Sequence, residues 1–330
     1  MKSPITGKEM KLIKEKRVMQ FRKESIEIWF HFYLCEDSKE KFESTELSEL
    51  NQIQVLNEYR VKNHIPFPDE IAEIRHNYGI SAKKMSEILG FGPNGFGLYE
   101  KGEIPSISNA RLIRQASDPG NFLDMLKDSP HCEVKLLDYI KKIINTENEQ
   151  YFCNPTKLYF ESISPSISNG YRKFSWEKIK HLVFYFAKME QPFKTRLNKL
   201  LFYTDFLNYR KTGFSITGLQ YTAINFGPVP NYYEILLNEL DNTTVSIDYL
   251  KLEDTICEKI VPEKYVSFNE ALFTENELLT IKNVCNQFMK IKTEKLIEYS
   301  HDEIGWTKNH VKKTLISYDH AFDLKHIDIN

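Results

Sequence analysis

Three consecutive residues near the C-terminus, Ser300-His301-Asp302, carry the side chains of an acyl-transfer triad: a hydroxyl nucleophile, an imidazole base and an orienting carboxylate. Consecutive positions on a helix point about 100° apart, so on one helix these three cannot bond to one another. His301 reads instead as a structural histidine that bonds across its domain to another helix. A hydrolase built on it would need a cleft in which a base lies within about 3 Å of a nucleophile. No H-E-x-x-H, G-x-x-x-x-G-K-[ST] or G-x-S-x-G segment occurs. The five cysteines include no C-x-x-C pair and are odd in number, so spacing gives neither a zinc site nor a disulfide framework. They read as small buried hydrophobes. The expectation is a protein that works by binding: no catalytic residues, no metal and no cofactor.

A second constellation suits base recognition. Gly79-Ile80-Ser81-Ala82-Lys83-Lys84-Met85-Ser86-Glu87-Ile88-Leu89-Gly90-Phe91-Gly92 has the length of the bracing helix and turn of a helix-turn-helix, whose next helix brings its first residues to base edges. Ser81 is a good N-cap and can offer its hydroxyl to a phosphate at the helix start. The amide of Asn94 can bond an adenine edge in two places. Lys83, Lys84, Tyr99 and Lys101 complete the candidate DNA contacts. Against this, Gly95 and Gly97 loosen the second helix by roughly 1 kcal/mol each. Residues 69–127 hold seven Lys/Arg and eight Asp/Glu, a poor electrostatic footprint for DNA. A scaffold or dimerisation unit that does not read DNA remains the alternative.

The surrounding elements follow from periodicity. Residues 17–34 alternate as a strand does, with Ile26, Ile28, Phe30, Phe32 and Leu34 on one side and Glu27, Trp29, His31 and Tyr33 on the other. Leu47, Leu50, Ile53 and Leu56 then recur at helical spacing. Five short, well-punctuated helices fill Asp69 to Lys127. Residues 128–172 read as a link that carries one helix, Val134–Ile144. The second half opens with helices at 176–189 and 192–211, the latter placing Leu197, Leu200, Leu201, Thr204 and Leu207 on one face and closing at Gly213. A short strand at 221–225 runs into a turn stiffened by Gly227-Pro228-Val229-Pro230. Strands at 245–250 and 256–261 follow, and Thr274-Glu275-Asn276-Glu277 is a capping box. The fold expected is mainly α with small β elements, in four parts: a β-rich unit plus helix (1–62), a five-helix bundle (63–128), a linker (129–172) and a mostly helical domain with a small sheet (173–325).

Length favours more than one domain, and the 41% apolar content is enough for real cores. No apolar run approaches the ~18 residues of a membrane span, and the first residues lack a signal-peptide core, so a cytoplasmic protein is expected. The net charge of −2 gives no global attraction to nucleic acid.

Two family resemblances sharpen this reading. Tyr99-Glu100-Lys101-Gly102 followed by Pro105 resembles the lambda-repressor-like (Xre) class. With Phe91-Gly92-Pro93-Asn94-Gly95-Phe96 before it, the segment is similar to the module of MqsA-type antitoxins. Those proteins begin with a zinc-binding unit of two C-x-x-C pairs, which correspond here to Ser3-Pro4-Ile5-Thr6 and Cys35-Glu36-Asp37-Ser38. Three of four thiols are missing, so the resemblance implies a degenerate, metal-free zinc-ribbon-like unit. Leu98 stands where the relatives carry a base-reading Arg. The second half resembles the Panacea (SocA-like) domain over roughly 175–322. The motif residues are Arg196 to Phe206, Lys211-Thr212-Gly213, Ile216-Thr217-Gly218, Tyr221 to Pro230, Tyr299-Ser300-His301 and Trp306. Lys199, Tyr203, Asp205, Gly213, Gly227, Pro228, His301 and Trp306 are thereby the candidate motif or partner-binding positions. Tyr203 and Asp205, two apart on a helix, cannot share a face, so one is expected in the core and the other at a partner.

The resemblances imply an antitoxin of prophage or mobile-element origin that holds a cognate protein toxin. Operator DNA is a second possible partner, for autorepression, and a homodimer is the expected state. The alternative is a helix-turn-helix transcriptional regulator without a toxin.

Overall fold

The computed structural model describes residues 1–149, 155–252 and 255–328. The described residues are mainly helical with three small antiparallel sheets, and the chain divides into two compact units, Met1–Leu158 and Tyr159–Asn330. The stretch 129–172, read from sequence as a linker, is shared between them.

In the first unit, strands β1 (Lys11–Phe21) and β2 (Glu24–Leu34) form an antiparallel hairpin, with a two-residue β3 (Lys41–Phe42) beyond β2. The single strand expected over 17–34 is therefore a hairpin. Its turn residues, Arg22 and Lys23, both have positive φ, the geometry that matches strand twist, but they lack the Asn-Gly signature that would reveal it. Ile26, Ile28, Phe30 and Phe32 are buried on one face, as the alternation requires.

Helix α1 (Thr45–Lys62) does something the apolar spacing does not suggest. Of Leu47, Leu50, Ile53 and Leu56 only Leu50 is buried, while Asn51, Gln54, Asn57 and Arg60 are. The Asn51 amide donates to His31 O (2.9 Å) and accepts from His31 N (2.8 Å), and Gln54 Nε2 donates to Trp29 O (2.9 Å). These side chains thus supply the edge of β2 with the hydrogen bonds a further strand would give, closing an edge that would otherwise invite aggregation.

Five short helices follow, as read from sequence: α2 (Pro68–Asn77), α3 (Ala82–Leu89), α4 (Gly95–Glu100), α5 (Ile107–Gln115) and α6 (Pro119–Asp128). Ile71, Met85, Phe96, Ile113, Phe122 and Leu126 form their core. Leu136 and Ile140 of α7 (Val134–Glu149) join it. Two arginines, the exposed Arg22 and the buried Arg60, tie the hairpin and α1 to the segment after α4. Arg22 donates to the carbonyls of Ile104 (2.7 Å) and Pro105 (2.8 Å), and Arg60 to that of Gly102 (2.7 Å).

Helix α8 (Pro155–Glu161) spans the boundary between the units. The second unit then contains α9 (Trp176–Glu190), α10 (Lys194–Thr212), hairpin β4–β5 (Tyr221–Ile224, Gly227–Pro230), α11 (Tyr233–Leu240), hairpin β6–β7 (Val245–Leu252, Thr255–Pro262), α12 (Glu275–Phe288), α13 (Thr293–Asp302) and α14 (Ile304–Asn309). The Thr274/Glu277 capping box is present. Gly227-Pro228-Val229-Pro230, read as a stiff turn, is strand β5, and the turn is Asn225-Phe226. Proline is tolerated there because β5 is an edge strand. A segment around Leu315 pairs with the other side of β4: Ile316 N donates to Tyr221 O and Ala223 N to Thr314 O. Helix α10 is buried on every side from Arg196 to Tyr209. Among the described residues no helix is long and apolar enough to cross a membrane.

Candidate functional site

A helix buried all round must satisfy its polar side chains internally. On α10 the largest such demand comes from Asp205. Ile216 N (2.8 Å), Thr217 N (2.9 Å), Thr217 Oγ1 (2.5 Å) and Tyr221 Oη (2.8 Å) all donate to its carboxylate. Burial pushes its pKa up, and these four donors pull it back in part. Asp205 thereby fixes both the loop after α10 and the start of β4.

Lys199, a turn and a half earlier, is fully buried. Its Nζ donates to Pro228 O at 3.0 Å, on β5. Desolvation lowers its pKa to about 7, with no carboxylate to offset the loss of water. Gly227 passes directly over it: a Cβ there would lie 2.7 Å from Lys199 Cε and from Ser300 Oγ, and φ is +96°. Glycine is required here by both space and backbone angle. Gly213, also with positive φ, ends α10.

Tyr203 and Asp205 are both buried, which corrects the expectation that one of them faces a partner. Tyr203 Oη donates to Glu303 Oε1 (3.1 Å), and Glu303 also accepts from Lys325 N and His326 N. Because neighbouring elements cover all of α10, opposite faces of it are equally internal.

Ser300, His301 and Asp302 point to separate partners. Ser300 Oγ donates to Ile297 O (2.8 Å), Asp302 pairs with Lys325 and His326, and His301 is half-buried, its pKa lowered by burial, then by the nearby Lys199, and raised in part by the backbone of Phe226. The sequence predicts a bond from His301 across its domain to another helix; the contact it makes with the next helix, α14, is a ring stack. Its ring stacks on Trp306 (centroids 4.2 Å), Trp306 stacks on His310 (4.2 Å), and Trp306 Nε1 donates to Ile224 O (2.7 Å). Of the motif residues read from sequence, Lys199, Asp205, Gly227, Pro228 and Trp306 therefore converge on one object, the β4–β5 hairpin, with His301 stacked on Trp306 beside it, while Tyr203 bonds Glu303 and Gly213 ends α10. Thr217 and Tyr221, which lie within the motif segments, donate to Asp205, and Glu303 accepts from Tyr203. Their roles needed the tertiary contacts, since nothing local to a Thr, a Tyr or a Glu announces its distant partner.

In the first unit, Ser81 caps α3 by accepting from Lys84 N, and Gly90 closes α3 in the left-handed conformation. The next helix, α4, starts at Gly95, with Asn94 as its exposed N-cap residue. Ser86, fully buried, accepts from Phe96 N (2.8 Å) and so joins α3 to the start of α4. Lys83, Lys101 and Asn94 are exposed, and Leu98 is 45% exposed. Lys84 pairs with Glu133, and Tyr99 Oη accepts from Asn109 Nδ2 (2.9 Å), so these two make structural contacts.

Ser3, Thr6, Cys35 and Ser38 come together at the base of the β1–β2 hairpin. Cys35 is buried, and hydrogen bonds from Ser3, Ser38 and Thr6 draw its thiol down to about 6. The donor set is one thiol and three hydroxyls, which does not fit a structural zinc ion. Among the described residues no cluster of three or more His, Cys, Asp or Glu could hold a metal.

Residues 197–307 match the family model described as "Antitoxin SocA-like, Panacea domain". No curated protein and no solved structure matches the chain. The matched span runs from α10 to α14 and contains Lys199, Tyr203, Asp205, the β4–β5 hairpin, His301 and Trp306.

Two outcomes follow. Lys199 binds its proton up to about pH 7 when folded and up to about 10.5 when unfolded, so in that window the unfolded chain holds more protons and stability rises with pH. Urea denaturation from pH 6.5 to 9.5 should show a rise of up to about 1.4 kcal/mol per pH unit that Lys199→Met lacks. Parallel curves for the two proteins would contradict this role for Lys199. For the hydroxyl–thiol cluster, metal analysis should find no stoichiometric zinc in the purified chain and one tightly bound zinc in the triple variant S3C/T6C/S38C. Zinc in the parent, or none in the variant, would show that the four positions do not have the arrangement of a zinc site's ligands.

Proposed function

We propose that the chain is an antitoxin whose second unit neutralises a protein toxin by direct binding, with no chemistry required of it. The observation that carries this reading is the Panacea match lying over a rigidly braced hairpin, with Lys199, Asp205 and Trp306 engaged in holding it. Such a domain offers a pre-built surface, which lowers the ordering cost of binding. The direct test is growth of a bacterial host that expresses the gene adjacent to this one, with and without the chain. Arrest by the neighbour alone and recovery with the full chain is the expected result. A harmless neighbour, or arrest that persists, would defeat the antitoxin reading.

In the same reading the first unit is a helix-turn-helix of the MqsA type grafted onto a zinc-ribbon-like unit that has exchanged its metal for hydrogen bonds. It pairs two chains and, through α4, contacts operator DNA for autorepression. Support comes from the capped α3, the left-handed Gly90 and the exposed Lys83, Asn94 and Lys101. Leu98 is exposed on α4 where such relatives carry an arginine, so DNA affinity should be weak as the chain stands. Leu98→Arg should tighten binding to the promoter fragment of the chain's own operon by about tenfold, the scale of one good base contact. Unchanged binding in a mobility-shift titration would mean that α4 does not face a groove.

A further inference from the structure

We infer that the toxin-binding face is the surface around the β4–β5 tip and the α14 segment, and that it receives an acidic protein surface with an apolar recess. This rests on the antitoxin reading above. The buried motif converges on this hairpin, yet the side chain at its tip is left exposed. Phe226, at the tip, is 70% exposed, and Val311, just after α14, is 82% exposed. Trp306, with His301 stacked on it, bonds the Ile224 carbonyl, and the segment around Leu315 pairs with β4, so these apolar groups sit on one braced platform.

The charge around the platform has one sign. From Ile304 to Tyr318 the chain has Lys308, Lys312 and Lys313 and no carboxylate. All three lysines are exposed, and none has an ion-pair partner among the described residues. Of the acids that flank the stretch, Asp302 is held by Lys325 and His326 and Glu303 by Tyr203 and two backbone N–H groups, while Asp319, at the far end, is half-buried. Complementarity therefore calls for carboxylates on the partner, ringing a recess for Phe226 and Val311.

Nucleic acid would also meet lysines, but it fits the aromatic groups poorly. His301 and His310 stack on Trp306 at 4.2 Å, so the indole's stacking capacity is taken up by the two imidazoles and little of it remains for a base. The two most exposed apolar groups, a phenylalanine at a turn and a valine, are contacts suited to a protein recess.

The test uses the full chain, the purified product of the adjacent gene, and three variants: K308E/K312E/K313E, F226S/V311S, and the control Y249S/I256S on the exposed β6–β7 hairpin. All the changed side chains are exposed, so melting temperatures should match the parent. The first two variants should lose growth rescue and bind the adjacent product at least tenfold more weakly, the charge variant most clearly at low salt, while the control keeps both. If the parent rescues and the first two variants rescue equally well, the face is wrong while the antitoxin reading stands. If the parent itself fails to rescue, the antitoxin reading fails and this inference with it. A labelled mixed-sequence oligonucleotide held through these lysines, or a parent dimer that K308E/K312E/K313E turns into monomer without loss of rescue, would assign the face to another occupant and overturn the proposal.

Discussion

The second unit depends on a carboxylate buried in its centre with four hydrogen-bond donors. Asp205 cannot be released to water without unfolding the helix around it, so its donors become obligatory: two backbone N–H groups of the loop after α10, the Thr217 hydroxyl and the Tyr221 phenol. Leaving any of them unmet would cost about 1–3 kcal/mol, which makes the position of β4 a consequence of α10. Lys199 extends the same logic to β5 through Pro228 O. A short hairpin that would be marginal alone is thus held at both strands by side chains of one buried helix.

The first unit solves its problems with polar groups as well. Asn51 and Gln54 give the edge of β2 the bonds of a missing strand, and Arg22 and Arg60 collect the carbonyls that follow α4. At the foot of the hairpin, three hydroxyls point at the Cys35 sulfur. Hydrogen bonds can hold turns together, but a neutral hydroxyl does not bind zinc as a thiolate does.

Local punctuation was well legible in the sequence. Ser81, Gly90, Gly213 and the Thr274/Glu277 box mark element ends because capping is decided within a few residues. The helices from Asp69 to Lys127 and the buried face of β2 followed from periodicity. The failures share one cause, which is that a polar residue's burial depends on a distant partner. The buried side of α1, with Asn51, Gln54, Asn57 and Arg60, looks solvent-facing until β2 and the Gly102 carbonyl are placed against it. Tyr203 and Asp205 looked like alternatives until α10 proved to be enclosed. The Arg22-Lys23 turn was missed because neither residue advertises positive φ. Strand β5 was read as a turn because its two prolines conceal an edge strand. The motif positions of the second half were legible through resemblance, whereas their common purpose, bracing the hairpin, needed the contacts.

Function then becomes a question of what a braced surface is for. Side chains that a scaffold holds rigidly lose little freedom on binding, which suits a protein whose task is to hold another protein. The most direct measurement is light scattering on a gel-filtered mixture of the full chain and the adjacent gene's product, followed by hydrogen exchange on the peak. The account predicts a single complex of defined stoichiometry, with new protection confined to the second unit around residues 222–229 and 305–315. Separate elution of the two proteins, at concentrations where the neighbour is toxic and the chain is folded, would contradict it.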